Sequence, residues 1–219
     1  MAKKPSTPKK TRKKSKSTNK KRRYAVVFAF VLLGVLFVTY WTLMQGTEAV
    51  EYKKTQNVRG MGGKMQVDIP RDMELTQSGV NILDYQHLQA GDAQHAISHI
   101  RAESQFLGEE KMKDVKAEIS SQLKSKSGKY FDFFRQKSSV NATADNLIFN
   151  EFQDYNSANL KEALITDFSY DYNDVKVEGN VLIAFSEDTI YIVTLEAVDE
   201  TWQSNTAFWQ KVLASLKLN

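Results

Sequence analysis

Cysteine is absent from the 219-residue sequence, which excludes disulfide bonds, thiolate zinc sites and cysteine nucleophiles. A folded part of this size can bury an adequate core without such crosslinks. If the folded part is exported, the lack of cysteine favours a bacterial envelope over a eukaryotic secretory route.

Acidic residues are missing from residues 1–23, which carry 12 Lys and Arg. The rest of the chain carries 18 basic against 26 acidic residues. An acidic body disfavours nucleic-acid binding, because phosphate neutralisation requires a clustered positive surface. Pro5, Pro8 and dense like charge predict that residues 1–23 are disordered. A nuclear-localisation or nucleic-acid role is the alternative for such a basic run.

Charged residues are missing from residues 24–44, "YAVVFAFVLLGVLFVTYWTLM". About 20 helical residues cross the ~30 Å hydrocarbon core, so this run predicts a transmembrane helix. The residues predicted at the two membrane interfaces are Arg22, Arg23, Tyr24, Tyr40 and Trp41. A cleaved signal peptide is the alternative, but its apolar region is usually only about 7–15 residues long.

The charge asymmetry around the apolar run predicts the orientation. Because cytoplasmic flanks are enriched in Lys and Arg, residues 1–23 are expected inside the cell and the C-terminal body outside. The sequence therefore predicts a single-pass plasma-membrane protein with a cytoplasmic N-terminus. Its basic tail is expected to contact anionic lipids, with about 1 kcal/mol for each cation near the surface.

Residues 45–63 show no sustained periodicity and end in glycines, which predicts an extracytoplasmic stalk. The stretch "GMGGK", residues 60–64 at the end of this segment, is no phosphate-binding loop. That motif requires glycine where Val58 stands and Ser or Thr where Met65 stands. A turn before a strand is the interpretation that remains.

Residues 64–219 are predicted to form one α+β domain. Strands are indicated by the alternating stretches "KMQVDIP", "VNILDYQHLQ" and "HAISHIRAES", and a helix by the apolar spacing within about 108–123. The stretches "NLIFNEF", "LKEALITDFSYDYND", "VKVEGNVLIAFSED" and "TIYIVTLEAV" predict an antiparallel sheet joined by short turns. The last 19 residues predict one amphipathic helix, with an apolar face of Trp202, Trp209, Val212, Leu213 and Leu216.

This order of elements resembles the PsbP-like family, which includes LpqN-type lipoproteins. The resemblance covers residues 61–219 and is carried by "MQVDIPRDMEL", "TIYIVTLEAVDETW" and "FWQKVLASL". The sequence departs from the pattern at Met73, where many relatives have tryptophan, and in the insertion-like "SGKYFDFFRQKSSVNATADN". The resemblance implies an antiparallel sheet with flanking helices, and an accessory module that binds a partner or lipid without catalysis.

His95, His99 and Glu103 are the strongest candidate metal ligands, since two histidines and a carboxylate form a known catalytic zinc set. However, the sequence has no HExxH motif, and a strand would place these residues on one charged, solvated face. It also has no Gly-x-Ser-x-Gly motif. No cofactor is therefore expected, and a metal-dependent hydrolase is the alternative function.

The stretch "KYFDFFRQ" has two interpretations. In the first, Phe131 and Phe133 lie on one side of a short strand and pack inwards. In the second, Phe131, Phe133, Phe134 and Arg135 form an exposed aromatic and basic lip that contacts a partner or lipid headgroups.

These features together predict a membrane-tethered, non-enzymatic binding or accessory module that acts on an envelope protein or lipid. A membrane-anchored hydrolase and a structural spacer in an envelope complex are the alternatives. Tethering would hold a module of modest affinity at a high effective concentration near its membrane partners.

Overall fold

The computed structural model describes residues 49–89, 92–138, 147–172 and 175–219. The predicted tail, the predicted transmembrane helix and the interface residues Arg22, Arg23, Tyr24, Tyr40 and Trp41 lie outside these ranges. Within the ranges, no helix has the length and hydropathy needed to cross a bilayer.

A small antiparallel sheet contains both ends of the described chain. Its strands are β1 (Thr55–Gly60), β2 (Met65–Pro70) and β11 (Lys217–Leu218), in the order β1-β2-β11. A single 3-10 turn, Met61–Gly63, joins β1 to β2. The prediction of a stalk over 45–63 is therefore wrong from Thr55 onward, because β1 pairs with β2 along its whole length.

The large sheet has eight strands, and all of its pairings are antiparallel. The strands are β3 (Glu74–Ser78), β4 (Ile82–Gln89), β5 (Asp92–Phe106), β6 (Ile148–Phe149), β7 (Gln153–Asp154), β8 (Ala163–Tyr172), β9 (Val175–Phe185) and β10 (Thr189–Val198). Their order is β3-β4-β5-β10-β9-β8-β6, with β7 also paired to β8. Strand β10 is buried at every position because helices cover both faces at the centre of the sheet. The predicted antiparallel α+β architecture is confirmed.

Each face of the large sheet packs against its own set of elements. On one face, the small sheet and the C-terminal helices enclose a core that includes Met61, Ile69, Leu195 and Trp209. On the other face, two helices enclose a second core rich in phenylalanine. These helices are α1 (Glu109–Ser125) and α2 (Lys129–Ser138). The result is a layered structure with the large sheet in the middle.

Helix α1 follows the predicted apolar stripe, since Met112, Ile119 and Leu123 are its buried residues. Helix α2 corrects the interpretation of "KYFDFFRQ" as a strand. Its start is fixed by Gln122, whose Oε1 accepts a hydrogen bond of 2.9 Å from the backbone N–H of Tyr130. Helical spacing then places Phe134 in the core, where its side chain is 1% exposed.

The predicted C-terminal helix is two helices, α3 (Asp199–Ser204) and α4 (Thr206–Ser215). The break falls at Asn205, whose side chain binds the start of the domain instead of continuing the helix. Its Oδ1 accepts from the backbone N–H of Tyr52 at 2.7 Å, and its Nδ2 donates to the carbonyl of Val50 at 2.5 Å. The domain therefore begins close to residue 50, where the chain is attached to the helix break. The predicted apolar residues Trp209, Val212, Leu213 and Leu216 are all buried.

Candidate functional site

The three predicted metal ligands do not form a described metal site. The side chain of His95 lies outside the described residues. Glu103 forms an ion pair with Arg101, whereas His99 lies between two other carboxylates. Across the ranges that the structure describes, no group of three or more His, Asp or Glu residues is arranged to hold a metal. The prediction of a solvated face is wrong at His99, which is 2% exposed.

His99 is the centre of a buried ionic cluster that also contains Asp84 and Glu196. Its Nε2 lies 3.0 Å from Asp84 Oδ1 and its Nδ1 lies 3.0 Å from Glu196 Oε1. The three residues lie on the adjacent strands β4, β5 and β10. The hydroxyl of Tyr170 donates to Glu196 Oε2 at 3.2 Å, and Thr76 Oγ1 donates to Asp84. All three charged side chains are therefore satisfied although they are buried.

The cluster shifts the pKa values of His99 and Asp84 in opposite directions. Burial alone would lower the pKa of His99, but its hydrogen bonds and ion pairs with Asp84 and Glu196 raise this pKa to about 9. Burial alone would raise the pKa of Asp84, but His99 outweighs it and the net pKa falls below its usual range. His99 is thus an imidazolium ion at neutral pH, with a carboxylate on each ring nitrogen.

This arrangement predicts a loss of stability at alkaline pH. The folded pKa of His99, about 9, exceeds its ordinary value of 6.5. Its contribution is therefore complete below pH 6.5 and is lost as pH rises through 9, a change of about 3 kcal/mol. Urea unfolding between pH 6 and 9.5 measures this decline. The variant His99→Leu should show no such slope, and an equal slope in both proteins would contradict the assignment.

The buried ionic cluster has the chemistry of a structural element. Catalysis requires a group that reaches the substrate, whereas Asp84, His99 and Glu196 are each at most 5% exposed. Both ring nitrogens of His99 are occupied by carboxylates, so neither can accept a proton or ligate a metal without breaking the cluster. The cluster joins three strands of the large sheet.

The predicted aromatic lip is only partly at the surface. Phe134 is buried in the core beneath α2, so its predicted contact with a partner or lipid is wrong. Phe131 and Phe133 are half-buried and pack against the same core, and Arg135 is also half-buried. The neighbouring Lys129 lies 3.6 Å from Glu118 and over the ring of Tyr130. These contacts leave little aromatic surface for a partner.

An open groove lies on the face of the large sheet opposite α1 and α2. There the C-terminal helices end, and strands β6, β8 and β9 continue beyond them. We call it the tryptophan groove, and its volume is about 390 Å³. Residues that line it are Ile148, Asn150, Asp167, Phe168, Ser169, Glu178, Gly179, Asn180, Trp202, Gln203, Thr206, Trp209 and Gln210. Volumes of roughly 300–1,000 Å³ are typical of ligand sites.

Two tryptophans form the helical wall of the groove. The rings of Trp202 and Trp209 are stacked, with centroids 5.5 Å apart and planes within 13°. Trp209 is 1% exposed, yet its Nε1 has no hydrogen-bond partner among the described residues. A buried indole N–H normally has an acceptor. The Nε1 atom is itself buried, so the half-buried ring of Trp202 is the tryptophan surface that the groove exposes.

The floor of the groove is polar and held in place by side-chain pairs. Asn180 donates to the carboxylate of Asp167 across β8 and β9. Gln203, on α3, donates through Nε2 to Glu178 Oε2 at 2.5 Å. These bonds fix the positions of amide and carboxylate groups that face solvent. The groove can thus offer both donors and acceptors from a rigid sheet.

No protein-family model matches the sequence, and no curated protein matches it either. Solved structures do match. Cyanobacterial PsbP from Synechocystis aligns with a TM-score of 0.50 and 7% identity, over 80% of this chain and 96% of that chain. The domain has a PsbP-like fold. The predicted resemblance is thereby confirmed for the fold alone, because identity this low carries no functional information.

Two further structures align less closely with the PsbP-like domain. LpqN from Mycobacterium tuberculosis, described as involved in cell envelope biogenesis, gives a TM-score of 0.46 at 12% identity, over 76% of this chain and 91% of that chain. A protein from Bacteroides thetaiotaomicron gives 0.44 at 6% identity. The alignment with it covers 76% of this chain and 49% of that chain, so this chain spans about half the length of that protein.

Sequence reasoning missed both polar features of the PsbP-like domain. Glu196 is the one acidic residue within "TIYIVTLEAV", and an isolated charge in a strand predicted to be buried on both faces signals a buried partner. Asp84 gives a similar signal within "NILDYQHL". The tryptophan groove gives none, since Trp202 and Trp209 satisfy the apolar helix pattern whether or not a groove lies beside them.

Proposed function

We propose that the protein is a membrane-tethered, non-enzymatic binding module. Its PsbP-like domain lies outside the cytoplasm and engages a component of the cell envelope through the tryptophan groove. The observation that carries the proposal is the contrast between the two polar features. The buried ionic cluster is sealed and satisfied, whereas the groove is open and lined by the exposed polar side chains of Asp167, Gln203 and Gln210.

The tether follows from the sequence. The uncharged run 24–44 is long enough to span a bilayer, and the basic residues 1–23 favour a cytoplasmic N-terminus. The same cations would bind anionic lipids of the inner leaflet. A tether confines the domain to the membrane surface, so that even weak binding in the groove becomes effective through a high local concentration.

Binding fits the described residues better than catalysis. A hydrolase requires an accessible nucleophile, base or metal. The strongest candidate, His99, is enclosed by two carboxylates, and the groove contains no histidine among its lining residues. A purely structural spacer would use a constitutive protein contact and would have no need for a pocket of this size.

Single-cysteine variants test the proposal, because the natural chain has no cysteine to interfere. In intact cells, a membrane-impermeant maleimide should label Gln210→Cys in the groove. It should label Ser15→Cys in the tail only after lysis. A photoactivatable crosslinker on Gln210→Cys should then capture an envelope component in the full-length protein.

The control for capture is Glu187→Cys. Glu187 is exposed in the turn between β9 and β10 and does not line the groove. Equal crosslinking from both positions would mean that the groove has no special role. Labelling of Ser15→Cys in intact cells, or of Gln210→Cys only after lysis, would contradict the proposed orientation.

A further inference from the structure

We infer that the ligand of the tryptophan groove is an uncharged oligosaccharide. This inference rests on the proposed binding function and specifies its ligand. It combines three properties of the lining: its charge, its hydrogen-bonding groups and its aromatic wall.

The charge of the groove disfavours anionic ligands. Asp167 and Glu178 are among the residues that line it, and none of the lining residues is Lys or Arg. Lys176, which is not a lining residue, is already paired with Glu178. A phosphate headgroup or an acidic sugar in the groove would lie beside these carboxylates, and no lining cation would balance its charge. Like charges in contact repel each other. The charge of the lining therefore disfavours an anionic ligand.

The hydrogen-bonding groups match hydroxyl groups. A sugar hydroxyl both donates and accepts, so it is best bound by carboxylate and amide side chains that offer both roles. Asp167 accepts one bond from Asn180 and has lone pairs left for a ligand hydroxyl. Gln210 and Gln203 contribute amide groups from the opposite wall.

The aromatic wall supplies apolar contact. Pyranose rings have an apolar C–H face in addition to their hydroxyl rim, and an indole is amphipathic in the same way. Half-buried Trp202 lies on the outer side of the stacked pair, and Ile148 is 62% exposed at the far edge. A pocket of about 390 Å³ with one aromatic wall and a polar floor suits a short oligosaccharide.

An extended peptide fits the groove less well. Peptides that bind sheets usually add a strand to a free edge, where unpaired backbone groups provide the hydrogen bonds. The floor of the tryptophan groove is instead the face of strands β8 and β9, which pair with each other along the full length of β8. Recognition there depends on side chains, which favours hydroxyls over a peptide backbone.

The test uses the full-length protein in phosphatidylcholine nanodiscs, since sugar-headed detergents would compete. Cellotetraose, maltotetraose and chitotetraose are the uncharged probes, and tetragalacturonate and a capped tetra-alanine peptide are the alternatives. Binding is followed by calorimetry and by saturation-transfer NMR. At least one uncharged probe should bind saturably, and neither the acidic sugar nor the peptide should bind as tightly.

Two groove variants and one matched control locate the binding. Gln210→Ala and Asp167→Asn each change an exposed polar side chain of the lining with little effect on packing. Each should weaken binding about three- to tenfold, as expected for one lost hydrogen bond. Lys211→Ala, at an exposed position next to Gln210 on α4 and absent from the groove lining, should leave binding unchanged.

The outcomes separate this inference from the proposed function. Three results would each overturn the inference that the ligand is an uncharged oligosaccharide. The first is that none of the three uncharged probes binds saturably. The others are that the peptide or the acidic sugar binds more tightly, or that wild type and Asp167→Asn bind equally. Crosslinking from Gln210→Cys in cells would in those cases still support a groove ligand of another class. If that crosslinking were also lost, the proposed function would fail with it.

Discussion

Replacement of His99 by leucine is expected to lower the free energy of unfolding by about 3–5 kcal/mol at pH 6.5. The cause is the pair of carboxylates left behind, Asp84 and Glu196, which are 5% and 4% exposed. Each would lose the hydrogen bond of 3.0 Å that His99 now provides. Urea unfolding of wild type and variant, followed by circular dichroism, measures the difference.

Arg101→Leu is the matched control for this change. Arg101 lies on the same strand and pairs with Glu103, but the two side chains are 32% and 15% exposed, so water reaches both partners. We expect a loss of less than about 1 kcal/mol. The cost of His99→Leu should also shrink at pH 9.5, where the wild-type imidazole has begun to lose its proton. A similar cost for both variants, or a cost independent of pH, would rule out a buried charged histidine.

Elements with a regular apolar period could be predicted from the sequence. The stripe of Met112, Ile119 and Leu123 requires one helical face, and the apolar run of β10 requires a strand covered on both sides. The errors occur where a distant residue decides the local structure. Asn205 ends a helix because it binds Val50 and Tyr52, and no helical period contains that information.

Helix α2 is a second element whose local structure is decided by residues distant in the sequence. In "KYFDFFRQ", Phe131 and Phe133 alternate as in a strand, while Tyr130 and Phe134 are spaced as in a helix. The second pattern prevails because a core formed by α1 and β10 is available to receive Phe134. Short aromatic runs satisfy both periods, so only the tertiary packing chooses between them.

The candidate site was beyond sequence reasoning for a related reason. The partners of His99 are 15 and 97 residues away along the chain, and strand pairing alone brings them together. The tryptophan groove likewise takes its residues from strands β6, β8 and β9 and from helices α3 and α4. Its polar residues lie on the half of the sheet face that the helices leave uncovered. An ordinary solvated surface would have the same composition, so the sequence does not distinguish the two.

Gly179→Ala is expected to destabilise the domain by about 3 kcal/mol or more, because overpacking a core position leaves no low-energy rearrangement. A Cβ at Gly179 would lie 2.6 Å from ring atoms of Phe168 and would also meet the backbone carbonyl of Leu195. That carbonyl belongs to β10, which pairs with β9 in register at Glu196 and Gly179. Thermal and urea unfolding would show the loss.

The same substitution should also disturb the buried ionic cluster. Gly179 on β9 pairs with Phe168 on β8 and with Glu196 on β10, and the hydroxyl of Tyr170 reaches across β9 to bind Glu196. Displacement of Phe168 by a methyl group would move its stacked neighbour Tyr170, whose ring is only 5° from parallel. The control is Gly79→Ala, where the new Cβ would lie 3.3 Å from one methyl group of Ile82 and would meet no backbone atom within 4 Å. That change should cost less than about 1 kcal/mol. Equal stability of the two variants would show that Phe168 and β10 can move to accommodate the methyl group. It would also show that the buried ionic cluster does not require glycine at position 179.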